Sequence, residues 1–518
     1  MAFTTFTDLL RRAAQHRPEW PFLRTIEDAG GWTYGEAESA VQRMAGLFRD
    51  LGVSRGDRVA LFASTSPDYL LACFGVWRLG GISTHINIKQ AEDLTYFVHN
   101  STPKLLLYTA DMAPAIQRDR EFLHGVTNLV GLTSGDPGLG ALDWGSHWRR
   151  APAFDGDLAR ASDPAHLSYT SGSSGRPKGA LIPHGSTVRA AHGIAERLGL
   201  DDSDVALSPT SPASSFGLVA NWLPMLHRRG TVVLTADWNA SHGWLAMEEQ
   251  GISYCSGNPF LFAELLAECQ RRGRAPANLR LLVSGGAPVP VQQKHTFADS
   301  FGITLAESYG QSEIGGFVAL GRGAIEPPPR RATIGRPLPD KEVRIVDEEG
   351  REQSAGEPGE MVLRGGFMVG YWARPDKTAE VIRAGWLHTG DMGVMDSAGY
   401  VTMLGRWSER IVHYGRVIYP RPMEEVLDAH PAVGYAAVIG APDPAAGENP
   451  KAIVTLNPGY DVTPETLLAY CQDHLGDEPA PLEAEIIPEM PMTATGKIGR
   501  ASLQKRERER AQGRSNHA

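Results

Sequence analysis

Cysteine is scarce in this chain, with four in 518 residues, at positions 73, 255, 269 and 471, and no CxxC pair among them. That spacing excludes a disulfide scaffold or a zinc ribbon and suits buried thiols of a reducing compartment. Long apolar runs are also missing. The longest, Tyr69 to Trp77, falls far short of the ~20 residues a bilayer requires. No apolar segment of the signal-peptide kind precedes the first helical pattern, so the expectation is a cytoplasmic protein without membrane insertion. Positive charge is in deficit: 50 Lys and Arg against 60 Asp and Glu leave −10, which argues against nucleic acid as the main partner. The one basic stretch, Lys505 to Arg510, alternates with Glu and reads as a solvated terminal helix.

What is present suits a multidomain α/β protein. Thr33-Tyr-Gly-Glu36 is a capping box, followed by apolar residues at helical spacing from Ala37 to Leu51. Strand-like runs (58–63, 104–108, 165–169) alternate with helical patterns, the rhythm of βαβ units and mainly parallel sheets. The rhythm continues through 205–284. Near 333–363 the period changes to two, indicating a β-rich subdomain. After a strand at 400–404 the remainder reads as a small α+β domain. The expected division is a large N-terminal domain, 1–405, with two βαβ-type subdomains and the β-rich one, a hinge at 406–409, and a mobile C-terminal domain, 410–518.

Residues 169 to 179 read Tyr-Thr-Ser-Gly-Ser-Ser-Gly-Arg-Pro-Lys-Gly. Thr170, Ser171, Ser173 and Ser174 supply hydroxyls. Gly172 and Gly175 let backbone N–H groups turn toward an anion, and Lys178 adds charge. The glycine spacing of a Walker loop is missing. A flexible Ser/Gly linker is the plain alternative, but linkers do not usually join two apolar strands, so polyphosphate binding is the better reading.

Four further segments join this loop: Tyr309-Gly310-Gln311-Ser312-Glu313 after a strand-like stretch, Gly385 to Asp391 in a turn, Gly405-Arg406-Trp407-Ser408 at the domain junction, and Pro491 to Arg500 around Lys497. Each has an ordinary reading alone. Together, in this order, they resemble the adenylate-forming superfamily of acyl-CoA synthetases, peptide-synthetase adenylation domains and luciferases. The resemblance implies ATP and Mg2+ as cofactors and a two-step reaction, a carboxylic acid becoming acyl-AMP before transfer to a nucleophile, with CoA one candidate for it. It implies that residues 170–178 hold the β- and γ-phosphates and that Glu313 ligates Mg2+, a hard ion suited to an oxygen donor. Ser312 would touch the α-phosphate. Tyr309 would stack on adenine against Gly286-Ala287-Pro288, Asp391 and Arg406 would hold the ribose, and Lys497 would bridge carboxylate and α-phosphate. The acyl pocket would be lined by Ser214, Phe216, Gly217, Asn221, Gly310 and Gly315, an apolar wall with small residues.

The chain departs from the pattern in places. Ser214 stands where many relatives have His. Gly217 replaces the Asp that pairs an α-amino group, which argues against an α-amino acid as the activated substrate. Ser408 replaces the usual hinge Asp or Lys. Gly415, facing the acceptor tunnel in relatives, is kept, but Arg416 replaces Glu or an aromatic, and Arg421-Pro422-Met423 interrupts the usual Pro-x-Glu. CoA, used by most stand-alone relatives, is the expected acceptor. The alternative is a stand-alone amide synthetase that passes the acyl group to an amino acid or amine.

Overall fold

Four sheets are built among the residues described by the computed structural model, which are 4–132, 139–170, 176–321, 333–493 and 498–515. One has nine strands, and its central members, Thr304–Gln311, Leu281–Ser284, Tyr254–Gly257, Val205–Ser208 and Thr231–Leu234, are neighbours in parallel. The second has eight strands around a parallel set that includes Arg58–Phe62, Ile82–His85 and Leu105–Tyr108. Both sheets and the helices Tyr34–Asp50, Pro67–Arg78, His184–Leu198 and Trp222–Arg228 contribute side chains to one buried core. Covered on both faces, such strands carry continuous apolar runs. The Thr33–Glu36 capping box forms as its spacing predicts, and all four cysteines are buried and free.

Behind the eight-stranded sheet lies a histidine cluster. His85 bonds Tyr69 Oη at 2.7 Å and Ser83 Oγ at 2.8 Å. Beside it His166, fully buried, has no hydrogen-bond partner on either ring nitrogen among the described residues. The Phe6 ring packs over His166 and edge-on to His184.

The third sheet, antiparallel, holds Glu342–Val346, Pro358–Arg364, Trp386–Met395 and Val401–Arg406. It contains the residues expected in a turn: Trp386 to Asp391 are strand, because pairing with 358–364 and 401–406 supplies the ladder that Gly390 alone would not favour. The last sheet begins at Ile411 and is centred on Val433–Asp443 and Gly447–Leu456. The closing helix, Arg500–Ser515, is less solvated than its charge alternation suggests. Glu507 is buried there and accepts from Lys451 Nζ at 2.8 Å. No helix among the described residues is long and apolar enough to cross a membrane.

Candidate active site

The strand Thr304–Gln311 outruns its neighbour. Leu281–Ser284 pairs with it only as far as Glu307, so Ser308 to Gln311 project beyond the parallel sheet and pair instead with Gly316–Leu320. Tyr309 and Gln311 therefore lie within the strand rather than after it. Ligands in open α/β sheets bind beyond such carboxyl ends. Asp391 arrives from the third sheet, opposite Arg406 on the neighbouring strand. Its Oδ2 accepts from the Tyr309 hydroxyl and from Gln311 Nε2, the latter at 2.6 Å, and Arg406 Nε lies 3.3 Å from Oδ1. Burial, and then the Asp391 carboxylate, push the Tyr309 phenol well above its ordinary value, so it remains a donor. Asp391 in turn holds the Arg406 guanidinium above its own ordinary value. A carboxylate has about four acceptor sites, so three protein donors leave capacity on Oδ1. Tyr309, Asp391, Arg406 and Ser408 line a cavity of about 1010 Å³ together with Gly286, Ala287 and Pro288.

A second corner lies at the other end of the same segment. The strands Pro164–Tyr169 and Gly179–Pro183 form a hairpin that closes at Tyr169 and Gly179, and the Thr170 N–H donates to the Lys178 carbonyl at 2.9 Å. Ser171, Gly172, Ser173, Ser174 and Gly175 lie outside the described residues. The Thr170 hydroxyl is buried and has no partner among those described, as fits a group waiting for a ligand. Lys178 Nζ sits 4.5 Å from the Tyr371 ring centroid. Tyr371 Oη donates to Glu313 Oε1 at 2.6 Å, and burial, then Glu313, push that phenol up. Ser312 opens the short helical turn that carries Glu313. Sequence reasoning missed Tyr371, whose only signal is a Gly-Tyr-Trp run after the Gly365-Gly366 turn.

Among the described residues no cluster of three or more acidic, His or Cys side chains could cage a metal. A single carboxylate at Glu313 fits Mg2+ nonetheless, since that ion keeps waters and is bound by one or two carboxylates plus substrate phosphates.

The expected acyl pocket surrounds the helix Ser215–Val219. Ser214 caps it, accepting from the Gly217 N–H at 2.9 Å, so this hydroxyl is committed to the backbone. Gly217 is there for close approach: a Cβ would lie 2.1 Å from the Ser211 carbonyl. Gly310 and Gly315 are equally constrained, by the Gly316 carbonyl at 2.3 Å and the Ile182 side chain at 2.2 Å. Phe216 packs on Phe317 with ring centroids 5.5 Å apart. The wall is less apolar than expected, because Asn221 is fully buried and hydrogen-bonds the strand end at Ser256.

From the C-terminal side the cavity is lined by Thr493, Ile498 and Gly499, which flank the segment of Lys497; Lys497 itself lies outside the described residues. The structure does not bring Gly415 and Arg416 there. They belong to an exposed hairpin whose two turn residues, Tyr414 and Gly415, both have positive φ. Arg421, read as part of an interruption, is instead largely buried, its side chain 12% exposed. It donates to Glu307 Oε1 and to Glu425 Oε1, each at 2.9 Å, while Lys294 Nζ holds Glu307 Oε2 at 2.6 Å.

Comparison with known proteins agrees with this geometry. Residues 10–372 match the family model described as AMP-binding enzyme, and residues 422–497 match the AMP-binding enzyme C-terminal domain. The chain is 31% identical to a feruloyl-CoA synthase of Amycolatopsis sp, covering 92% of this chain and 94% of that one. It is 30% identical to the sulfoacetate–CoA ligase of Cupriavidus necator, covering 97% of each. The solved structure of the anthranilate CoA ligase AuaEII with anthranoyl-AMP superposes with a TM-score of 0.90 at 25% identity, covering 98% of both chains.

Proposed function

The chain belongs to the AMP-binding enzyme family, and from that premise we propose an ATP-dependent carboxylic acid ligase that forms an acyl-adenylate and then an acyl-CoA. In the first step a carboxylate oxygen attacks the α-phosphorus of ATP, the bond to the bridging oxygen breaks, and pyrophosphate leaves. In the second, the CoA sulfur attacks the acyl carbonyl and AMP leaves.

The observation that carries the reading is the convergence of the two corners on one strand and the turn after it. Tyr309 with Asp391 and Arg406 suits an adenosine, and Glu313 with Tyr371 and Lys178 suits phosphates four residues further on. Asp391 would accept the ribose hydroxyls, Lys178 and the Thr170 hydroxyl would hold the β- and γ-phosphates, and Ser312 would contact the α-phosphate. Charge developing at the phosphorus is then met by fixed donors at low cost in reorganisation. Mg2+ bound with the nucleotide would add neutralisation of the phosphate oxygens, with Glu313 as its protein ligand. Lys497 would steady the attacking carboxylate. Residues 1–405 and 410–518 would act as two bodies joined at 406–409.

Transfer to an amine gains no support. The relatives above are named as CoA ligases, and Arg416 stands on an exposed hairpin. A panel of acids assayed by pyrophosphate release, with CoA or amines then added to trap the product, tests the proposal. CoA-dependent AMP release and a thioester are expected; turnover to amide with no thioester at millimolar CoA would overturn the acceptor.

A further inference from the structure

We infer that Tyr96 and Asn100, both on the helix Leu94–Ser101, are positioning residues for phosphate binding, and that they hold Lys178 and Thr170 in place through hydrogen bonds to the residues beside them. The inference rests on the ligase reading above, in which Thr170 and Lys178 meet the β- and γ-phosphates. The helix buries Leu94, Phe97, Val98 and Ser101, the spacing of one apolar face turned to the core. Tyr96 and Asn100, four residues apart, are neighbours on an adjoining face. Both reach the end of the hairpin Pro164–Tyr169 and Gly179–Pro183 where Tyr169 stands opposite Gly179.

Tyr96 Oη donates to the Pro177 carbonyl. A peptide unit is planar, so this bond fixes the plane that ends at the Lys178 nitrogen. The Thr170 N–H fixes the next plane, by its bond to the Lys178 carbonyl at 2.9 Å. With both of its peptide planes held, Lys178 starts its side chain from a set position and ends it over the Tyr371 ring. Asn100 serves the other strand. Its Oδ1 accepts from Tyr169 Oη at 2.8 Å, one residue before Thr170. Its backbone carbonyl accepts from Trp372 Nε1 at 2.9 Å, and the Trp372 N–H donates to the Gly179 carbonyl at 2.7 Å. One helix thus ties together both strands of the hairpin and the segment that carries Tyr371.

Core packing does not account for this arrangement. Tyr96 and Asn100 are only partly buried, unlike their neighbours Phe97 and Val98. Both line a groove of about 450 Å³ together with Arg176, whose guanidinium lies 5.2 Å from the centroid of the Tyr96 ring. The ring alone would serve that stacking contact, and a phenylalanine would supply it. The Tyr96 hydroxyl adds one thing, a bond to the peptide unit that begins Lys178.

The test uses the full chain and two nucleotides, ATP with Mg2+ and AMP, which share adenosine and the α-phosphate and differ in the β- and γ-phosphates. Calorimetric titration of the wild type should show ATP bound more tightly than AMP. Tyr96→Phe removes only the hydroxyl, and it should weaken ATP by about fivefold or more while changing AMP by less than about twofold. Asn100→Ala should move the ratio in the same direction. A merely structural role would weaken both nucleotides together. A wild-type ratio in folded Tyr96→Phe and Asn100→Ala proteins, or equal losses for ATP and AMP, would overturn the inference and leave the ligase reading standing. ATP bound no more tightly than AMP by the wild type would instead remove Thr170 and Lys178 from the phosphates, and this inference with them.

Discussion

Tyr371 donates its phenolic hydrogen to Glu313 at 2.6 Å. The same ring lies under Lys178 Nζ, 4.5 Å away, so one side chain sets the position of the proposed metal ligand and of the phosphate-loop lysine. Hydrogen bonds to charged groups contribute about 1.5–3 kcal/mol. Tyr371→Phe keeps the ring and removes the bond. It should raise the Mg2+ concentration for half-maximal ATP–pyrophosphate exchange about tenfold and affect the rate at saturating Mg2+ much less. Tyr371→Leu should also raise KM for ATP, through loss of the cation–π contact. Identical Mg2+ titrations for wild type and Tyr371→Phe would remove the tyrosine from the site.

Asp391 is the shared acceptor of Tyr309, Gln311 and Arg406. Asp391→Ala leaves the buried Tyr309 hydroxyl without its partner, which costs about 1–3 kcal/mol in stability. The variant should melt lower and bind ATP more weakly, and it should lose most of the wild-type preference for ATP over 2′- and 3′-deoxy-ATP. Calorimetric titration with the three nucleotides measures this directly. Discrimination preserved in the variant would take Asp391 off the ribose.

Several of these relationships are legible in the chain and others are hidden by its linear order. The strand and helix pattern is visible because buried parallel strands and amphipathic helices impose it locally, and Tyr309, Asp391 and Arg406 stand out through their motifs. Gln311 lies inside a quoted motif, yet its amide bond to Asp391 joins residues far apart in sequence and has no local signature. The same holds for Tyr371 with Glu313. Gly385 to Asp391 reads as a turn from its glycines; Gly385 does stand in the turn between Arg383 and Trp386, but from Trp386 to Asp391 pairing with two long strands overrides that preference.

The ion-pair chain Lys294–Glu307–Arg421–Glu425 joins the strand that carries Tyr309 to the helix Pro420–Asp428. Burial raises the Glu307 carboxyl, but Lys294 and then Arg421 outweigh it, and the group stays below its ordinary value. Its stabilising share is therefore present above about pH 4.5 and fades as pH falls. Removing one member of a buried pair costs about 3–5 kcal/mol. Arg421→Met should loosen the C-terminal domain, seen as faster proteolysis near residues 406–410 and a slower first half-reaction. The double variant Glu307→Gln/Arg421→Met should recover part of both. Unchanged proteolysis in Arg421→Met would show that the pair does not hold the domain.

Acid stability should be governed by the buried histidines. Burial lowers His85 and His184 from 6.5 to about 3, and lowers His166 well below 6.5, with His85 and His184 adding repulsion. The folded-state values lie under the unfolded ones, so their stabilising share is present above about pH 6.5. As pH falls below that, the unfolded chain takes up protons that the folded chain refuses, and the share is lost progressively toward the folded values, about 3 for His85 and His184. Each group contributes a slope of about 1.4 kcal/mol per pH unit once the unfolded form is protonated, so three together approach about 4 kcal/mol per unit. Against a total stability of about 5–15 kcal/mol, unfolding should set in between about pH 5 and 4. His166 is the informative position because neither of its nitrogens has a partner among the described residues. His166→Leu should reduce the fall in denaturation free energy between pH 6.5 and 4.5 by about one third, as measured by urea titration at each pH. The same slope in wild type and variant would mean that His166 takes up its proton without unfolding, and that the acid sensitivity lies elsewhere.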